Sequence, residues 1–244
     1  MNQADSAVDR ALRYWSGFFG LPPEQFAARG TAVVPHRGLE GYVGAWIVQR
    51  SITTIVSVPA GMVGAVRDRL GSTSPPLEPD ADWAGLLGAR VERVIGPAYQ
   101  GYLDRVPEPD AAAPGVERLK RSDHQRLASL ERVCGPEAWS HANLDLERDE
   151  PIFGCVADGR LVAVAQNSRW GEQTVSPGVV TAPAWRNQGL GRGVLAAAMR
   201  DAWGHGELVL YQSLVANRPA VTIGEALGVR PFAQHVAVRF RAAR

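Results

Sequence analysis

The sequence predicts an α/β (α+β) protein, a sheet flanked by helices, and three observations carry that expectation. Short runs rich in β-branched residues alternate along the chain with segments whose apolar residues recur every three to four positions. Asp158-Gly159 separates two such runs with the dipeptide that suits a two-residue type I′ hairpin turn. A further strand-like run, Val175 to Thr181, leads directly into a glycine-rich loop and then a helix.

Taken in order, the chain opens on a helix in which Ala7, Val8, Ala11, Leu12, Trp15, Phe18 and Phe19 share helical spacing until Gly20 and Pro22-Pro23 end it. Pro22 to Ala28 suits a second short helix, Thr31–Val34, Ala45–Val48 and Ile52–Val58 read as strands, and Pro59 to Leu70 as a helix. The aromatic and aliphatic stripes of this half read as core. Two Pro- and acid-rich stretches follow, STSPPLEPDAD at 72–82 and VPEPDAAAPG at 106–115, and the second marks a boundary near residue 110. That divides the chain into an N-terminal α/β region, residues 1–110, and a second domain, residues 111–244. Within the second, Val116 to Leu119 reads as a strand, and Ser122-Asp-His-Gln125 as a capping box opening a helix. The hairpin follows at Ile152–Ala157 and Leu161–Ala165, then Val175–Thr181 and a helix from Gly191 to Trp203. A strand Leu208–Tyr211, a helix capped by Asn217 and ended by Gly228, and a strand Gln234–Phe240 complete the order.

Composition narrows the class. With 244 residues, 45% of them hydrophobic and 21% charged, the chain has enough apolar content for a substantial core. A formal net charge of +1, without basic clusters interleaved with aromatics, gives no reason to expect nucleic acid. MNQADSAVDRAL carries Asp5 and Asp9 and no apolar stretch of signal-peptide length, so a cytoplasmic protein without a membrane partner is expected. The two cysteines, Cys134 and Cys155, lie in apolar-patterned segments and read as buried thiols, and the five histidines share no metal-ligand spacing. No metal is expected, and the oligomeric state is open.

The stretch VVTAPAWRNQGLGRG, Val179 to Gly193, carries the chemistry. Gly189, Gly191 and Gly193 allow a sharp turn and close approach, so backbone N–H groups converge on an anion while a helix directs its positive end at the same place. A dinucleotide fingerprint would need glycine at Val194, and a P-loop would need a Gly-Lys pair, which is absent from this loop. What is present is Arg186-x-x-Gly189-x-Gly191, preceded by Val180-x-x-Pro183. About thirty residues on, Asn217, Ala220, Leu227 and Gly228 fall in the pattern N-x-x-A-x-x-L-Y-x-x-L-G-F, with Ile223 in place of leucine. The two motifs together resemble the GNAT superfamily of N-acetyltransferases, over about residues 116 to 240. Residues 1–105 resemble the N-terminal α/β extension of a bacterial subgroup.

The resemblance implies a mixed, largely antiparallel sheet splayed between Val175–Thr181 and Leu208–Tyr211, with the pantetheine arm of acetyl-CoA in the gap. It implies cofactor contacts at Val179, Val180 and Thr181 on the strand, at Arg186, Asn187, Gln188, Gly189, Leu190, Gly191 and Arg192 on the loop, and at Asn217. The activity implied is acyl transfer, by direct attack, from acetyl-CoA to a primary amine on a small molecule or peptide. Presenting an alkylamine unprotonated near neutrality costs about 4 to 5 kcal/mol, so a base is useful. Glu137 and Glu172 are the candidate bases, and the acidic run Asp145, Glu147, Asp149, Glu150 could attract a cationic amine. The family's proton-donating tyrosine aligns with Gly224, which leaves Tyr211 as the candidate acid. That departure keeps a second reading open, a catalytically silent acyl-CoA-binding or regulatory module.

Overall fold

The computed structural model describes residues 6–108, 113, 115–145 and 147–241, so part of the proline-rich stretch at 106–115, including the expected boundary at 110, lies outside the described residues. The chain forms two compact units: Met1–Tyr102 with Gln212–Thr222 and Arg230–Arg244, and Leu103–Tyr211 with Ile223–Val229.

In the first unit, α1 (Ala7–Phe19) begins where Ser6 Oγ accepts from the Asp9 N–H at 3.3 Å, and ends at Gly20, whose φ of +66° closes the helix. The sheet runs β1-β3-β2-β10-β4, where β1 is Gly30–Pro35, β2 Gly44–Arg50, β3 Thr53–Val58, β4 Val91–Leu103 and β10 Val229–Phe240. β1 and β3 are parallel, while β2 pairs antiparallel with β3 and with β10. Strand periodicity sorts the two faces. Ile47, Val56, Val236 and Val238 pack against Val66 and Leu70 of α2 (Val63–Leu70) and against Trp83 and Leu87 of α3 (Trp83–Leu87). On the other face Trp46 meets Trp15 at 6.1 Å and Phe18 at 5.4 Å, both edge to face, so the aromatic stripe of α1 is core.

His235 lies on the Trp46 side of β10, its ring 5.0 Å from the indole, and burial pushes its pKa down to about 4. His36 shifts in the same direction, again chiefly through burial. A folded-state pKa below the unfolded value of about 6.5 contributes stability that is complete above that pH and is lost as pH falls toward the folded value. His235 is therefore expected to contribute about 3 kcal/mol that disappears between roughly pH 6.5 and 4, a fall in Tm on the order of 5–10 °C. Thermal melts across that window test this, and a His235→Phe variant should lose that part of the decline.

The second unit holds the sheet order β9-β8-β7-β6-β5, with β5 Val116–Arg118, β6 Ile152–Ala157, β7 Arg160–Gly171, β8 Thr174–Thr181 and β9 Leu208–Leu214. β5 through β8 are antiparallel neighbours, and β8 and β9 are parallel. Asp158 and Gly159, with φ of +48° and +70°, form the tight turn between β6 and β7. Ala163 and Ala165 of β7 face Val194, Ala197 and Ala198 of α6 (Leu190–Gly204), an alanine-rich contact that brings helix and sheet close. Val164 and Val180 face the opposite way, onto Leu127 and Leu130 of α4 (His124–Cys134) and Trp139 of α5 (Pro136–His141). Cys155 is buried and Cys134 half-buried; both are free thiols whose pKa burial raises. The expected Ser122 cap is displaced by one residue. Asp123 precedes α4 and its carboxylate accepts from the Lys120 N–H at 2.8 Å, which lowers its pKa.

Candidate functional site

The site is built on the side of β8 that faces β9. Ala182 donates its N–H to the Val162 carbonyl at 2.8 Å, and β8 registers Val180 against Val164. Antiparallel alternation therefore turns the backbone groups of Gly178 and Val180 toward β7, and those of Pro177, Val179 and Thr181 toward the opposite edge. On that edge the parallel register with β9 covers only Thr174↔Leu208 and Val175↔Val209. Pro177, the next residue facing β9, has no N–H to continue the ladder. The strands thus splay at Pro177, and the N–H groups of Val179 and Thr181 line the open side. Val180 contributes otherwise: its amide is committed to β7, and its side chain is core.

The open edge ends at the glycine loop. Asn187 and Gly189 both adopt positive φ, +61° and +81°, and Gly189 is the N-cap of α6. The intrahelical ladder begins with Gly193 N–H on the Gly189 carbonyl at 3.0 Å. The preceding amides, at Leu190 and Gly191, therefore belong to the first turn, whose N–H groups have no carbonyl behind them in the helix. With the dipole of a 15-residue helix behind them, they make an anion-binding end. The glycines divide the work. Gly189 supplies the left-handed turn, whereas Gly191 lies buried in the helix, where a Cβ would stand 2.6 Å from Thr181 Oγ1. Gly191 thereby fixes the loop against the end of β8. Arg186 reaches back so that its Nε donates to the Thr181 carbonyl at 3.3 Å, and Gln188 donates to the Ala184 carbonyl at 3.3 Å.

The remaining candidates fall in four places. Tyr211, buried at the end of the unit's portion of β9, lays its ring over Gly224, where an added Cβ would stand 2.6 Å from Cε1. The absence of a side chain at Gly224 is thus what makes room for the Tyr211 ring. Glu137 is exposed on the first turn of α5, and Trp139, two residues on, is buried. Glu172 is exposed in the β7–β8 turn, before the paired start of β8, and its carbonyl accepts from Arg169 Nη1. Asn217 precedes α7 (Arg218–Ala226), and its side-chain carbonyl accepts from the Ala220 N–H at 3.4 Å.

Sequence reasoning missed Arg105. It lies over Gly228, where a Cβ would stand 2.9 Å from Arg105 Cγ, and lines a cleft of about 380 Å³ with Arg192, Glu108, Ala226 and Leu227. Its only signal in the sequence is a cation beside a proline-rich stretch, with no spacing that connects it to Arg192. Among the described residues no group of three His, Cys, Asp or Glu is arranged to hold a metal, and no helix is long and apolar enough to cross a membrane.

Residues 124–228 match the family model described as the acetyltransferase (GNAT) family. No protein of curated function matches the chain. Among solved structures, the chain is similar to a GNAT-family acetyltransferase from Novosphingobium aromaticivorans, at 27% identity over 64% of this chain and 69% of that one, with a TM-score of 0.49. It is also similar to a GNAT-family acetyltransferase from Colwellia psychrerythraea, at 17% identity over 66% of this chain and 62% of that one, TM-score 0.48. A third is a GNAT-type N-acetyltransferase from Kribbella flavida, at 21% identity over 62% of this chain and 60% of that one, TM-score 0.47. The chain spans less than two thirds of the length of the latter two.

Proposed function

We propose that this protein, whose residues 124–228 match the acetyltransferase (GNAT) family model, binds acetyl-CoA along β8 and transfers its acetyl group to a primary amine. The observation that carries the reading is the junction of an open strand edge with an anion-binding helix start. The N–H groups of Val179 and Thr181 face a gap, and the loop at 186–192 closes one end of it. A pantetheine arm carries amide groups, which suit an edge that accepts an added strand. A pyrophosphate suits the first turn of α6, with the cations of Arg186 and Arg192 beside it. Arg105 adds charge to the cleft that Arg192 lines.

Acetyl-CoA supplies an activated thioester; the chain supplies alignment, charge and proton movement. An amide on the open edge, Val179 above all, is placed to donate to developing oxyanion charge without reorganising. Tyr211 is the proposed proton donor to the departing thiolate, a modest task because a thiol of pKa near 8.5 leaves readily. Of the two acids proposed to receive the amine's proton, Glu137 is the better placed. Its helix runs directly into Ala142, which touches Gly178 of β8; it would act through water. The acceptor is proposed as a small-molecule or peptide amine, and the compartment as the cytoplasm.

Thiol release from acetyl-CoA across a panel of polyamines, aminoglycosides and N-terminal peptides tests the proposal. Release above hydrolysis without acceptor is expected for at least one amine class. An acetyl-CoA-stabilised protein that stays silent across the panel would favour the binding module. Saturating ligand at about 100 times its Kd should add roughly 2.7 kcal/mol of stability, so a flat thermal shift would contradict both readings.

A further inference from the structure

We propose that Ala142–Asp145 form a fixed strap closing the acyl end of the β8 edge, which restricts the acyl group to acetyl or propionyl, and that Gln166 is the positioning residue holding it. The proposal rests on the acyl-CoA reading above and specifies its substrate.

Gln166 of β7 is 1% exposed, and both ends of its amide are engaged by one strap residue. Its Nε2 donates to the Asp145 carbonyl at 2.9 Å, and its Oε1 accepts from the Asp145 N–H at 2.9 Å. Two residues along the strand, on the same face, Ser168 Oγ donates to the Asn143 carbonyl at 3.1 Å. The strap's own Leu144 is buried with Trp139, Val164 and Val180. The strap touches β8 itself at Gly178, opposite Gln166 in the register, where any Cβ would overlap the Ala142 carbonyl oxygen. Among the described residues, the buried Gln166 amide bonds two backbone groups of one loop residue, and so serves that loop's position.

That position is one residue past Pro177. An acyl-CoA anchored at Gly189–Arg192 runs its arm back along Thr181 and Val179, so its acyl end arrives where the strands splay. Ala142 abuts the strand there, and the core behind it is filled by Trp139, Leu144 and Val180. A longer acyl chain has to lift the strap off its glutamine.

Titration calorimetry of the full chain with acetyl-, butyryl- and hexanoyl-CoA, paired with hydrogen exchange over 142–145, tests this. The wild type should bind acetyl-CoA at least about tenfold tighter than hexanoyl-CoA, and Gln166→Leu should erase most of that ratio. In the variant, the strap should exchange faster while acetyl-CoA affinity stays within about twofold, since the loop is untouched. Ser168→Ala removes one bond, is easier to fold, and should move the ratio in the same direction. A ratio unchanged in a variant whose strap exchanges faster would overturn the proposal, as would a wild type that takes hexanoyl-CoA as tightly as acetyl-CoA. Absence of binding to all three would overturn the acyl-CoA reading and the strap with it.

Discussion

Gly189→Val is expected to weaken acetyl-CoA binding by about 100-fold or more, a loss of roughly 2.7 kcal/mol. Gly189 holds φ at +81° as the N-cap of α6, a conformation that costs an ordinary L-residue about 1–2 kcal/mol and a β-branched one more. Valine can relieve that strain only by moving the turn, and the turn is what gathers the first-turn amides of the helix. Backbone strain alone must be separated from loss of the anion site. Gly159→Ala supplies the control: it also has a positive φ, +70°, with open space around it, in a hairpin turn that carries no ligand group. It should cost about 1 kcal/mol of stability and leave affinity unchanged. Calorimetry on both variants, with melting curves, distinguishes the outcomes. Equal affinity for Gly189→Val and wild type would mean the loop does not hold the pyrophosphate.

Val179→Pro is expected to lower turnover by about 100-fold while the protein remains folded. The substitution removes one N–H, and that N–H faces the gap, so no bond to β7 is lost. β8 already tolerates a proline two residues earlier, at Pro177, on the same edge. Val180→Pro is the contrasting variant. Its N–H lies in the β7 ladder and its side chain is 5% exposed in the core, so it should destabilise the fold by about 3 kcal/mol or more. If the two prolines behaved alike, the assignment of edges along β8 would be wrong.

Several features of the fold were legible because their causes are local. Gly20 ends α1, Asp158-Gly159 dictates a turn, and the loop at 186–191 follows an apolar strand. The splay was legible only through the family resemblance, although its local cause, Pro177, stands in the sequence. Features set by distant partners were not legible. The 13 residues of β4 were missed because Gly96-Pro97 interrupts its pattern, and β10 begins five residues before the expected Gln234 because Pro231 hides its start. Gln166 looks like an ordinary polar residue near a hairpin until Asp145, 21 positions away, is seen to take both ends of its amide. The three glycines of the loop looked equivalent. One makes a turn, one lets a helix approach Thr181, and Gly193 makes room for Ala113.

Residue-resolved amide exchange on β8, with and without saturating CoA, bears most directly on whether this edge is the cofactor site. The free protein should show fast exchange at Val179 and Thr181 and slow exchange at Val180, because only the last is bonded to β7. CoA should slow the first two by about tenfold or more and leave Val180 where it was. Unchanged exchange at Val179 and Thr181 in a protein saturated with CoA would contradict the account.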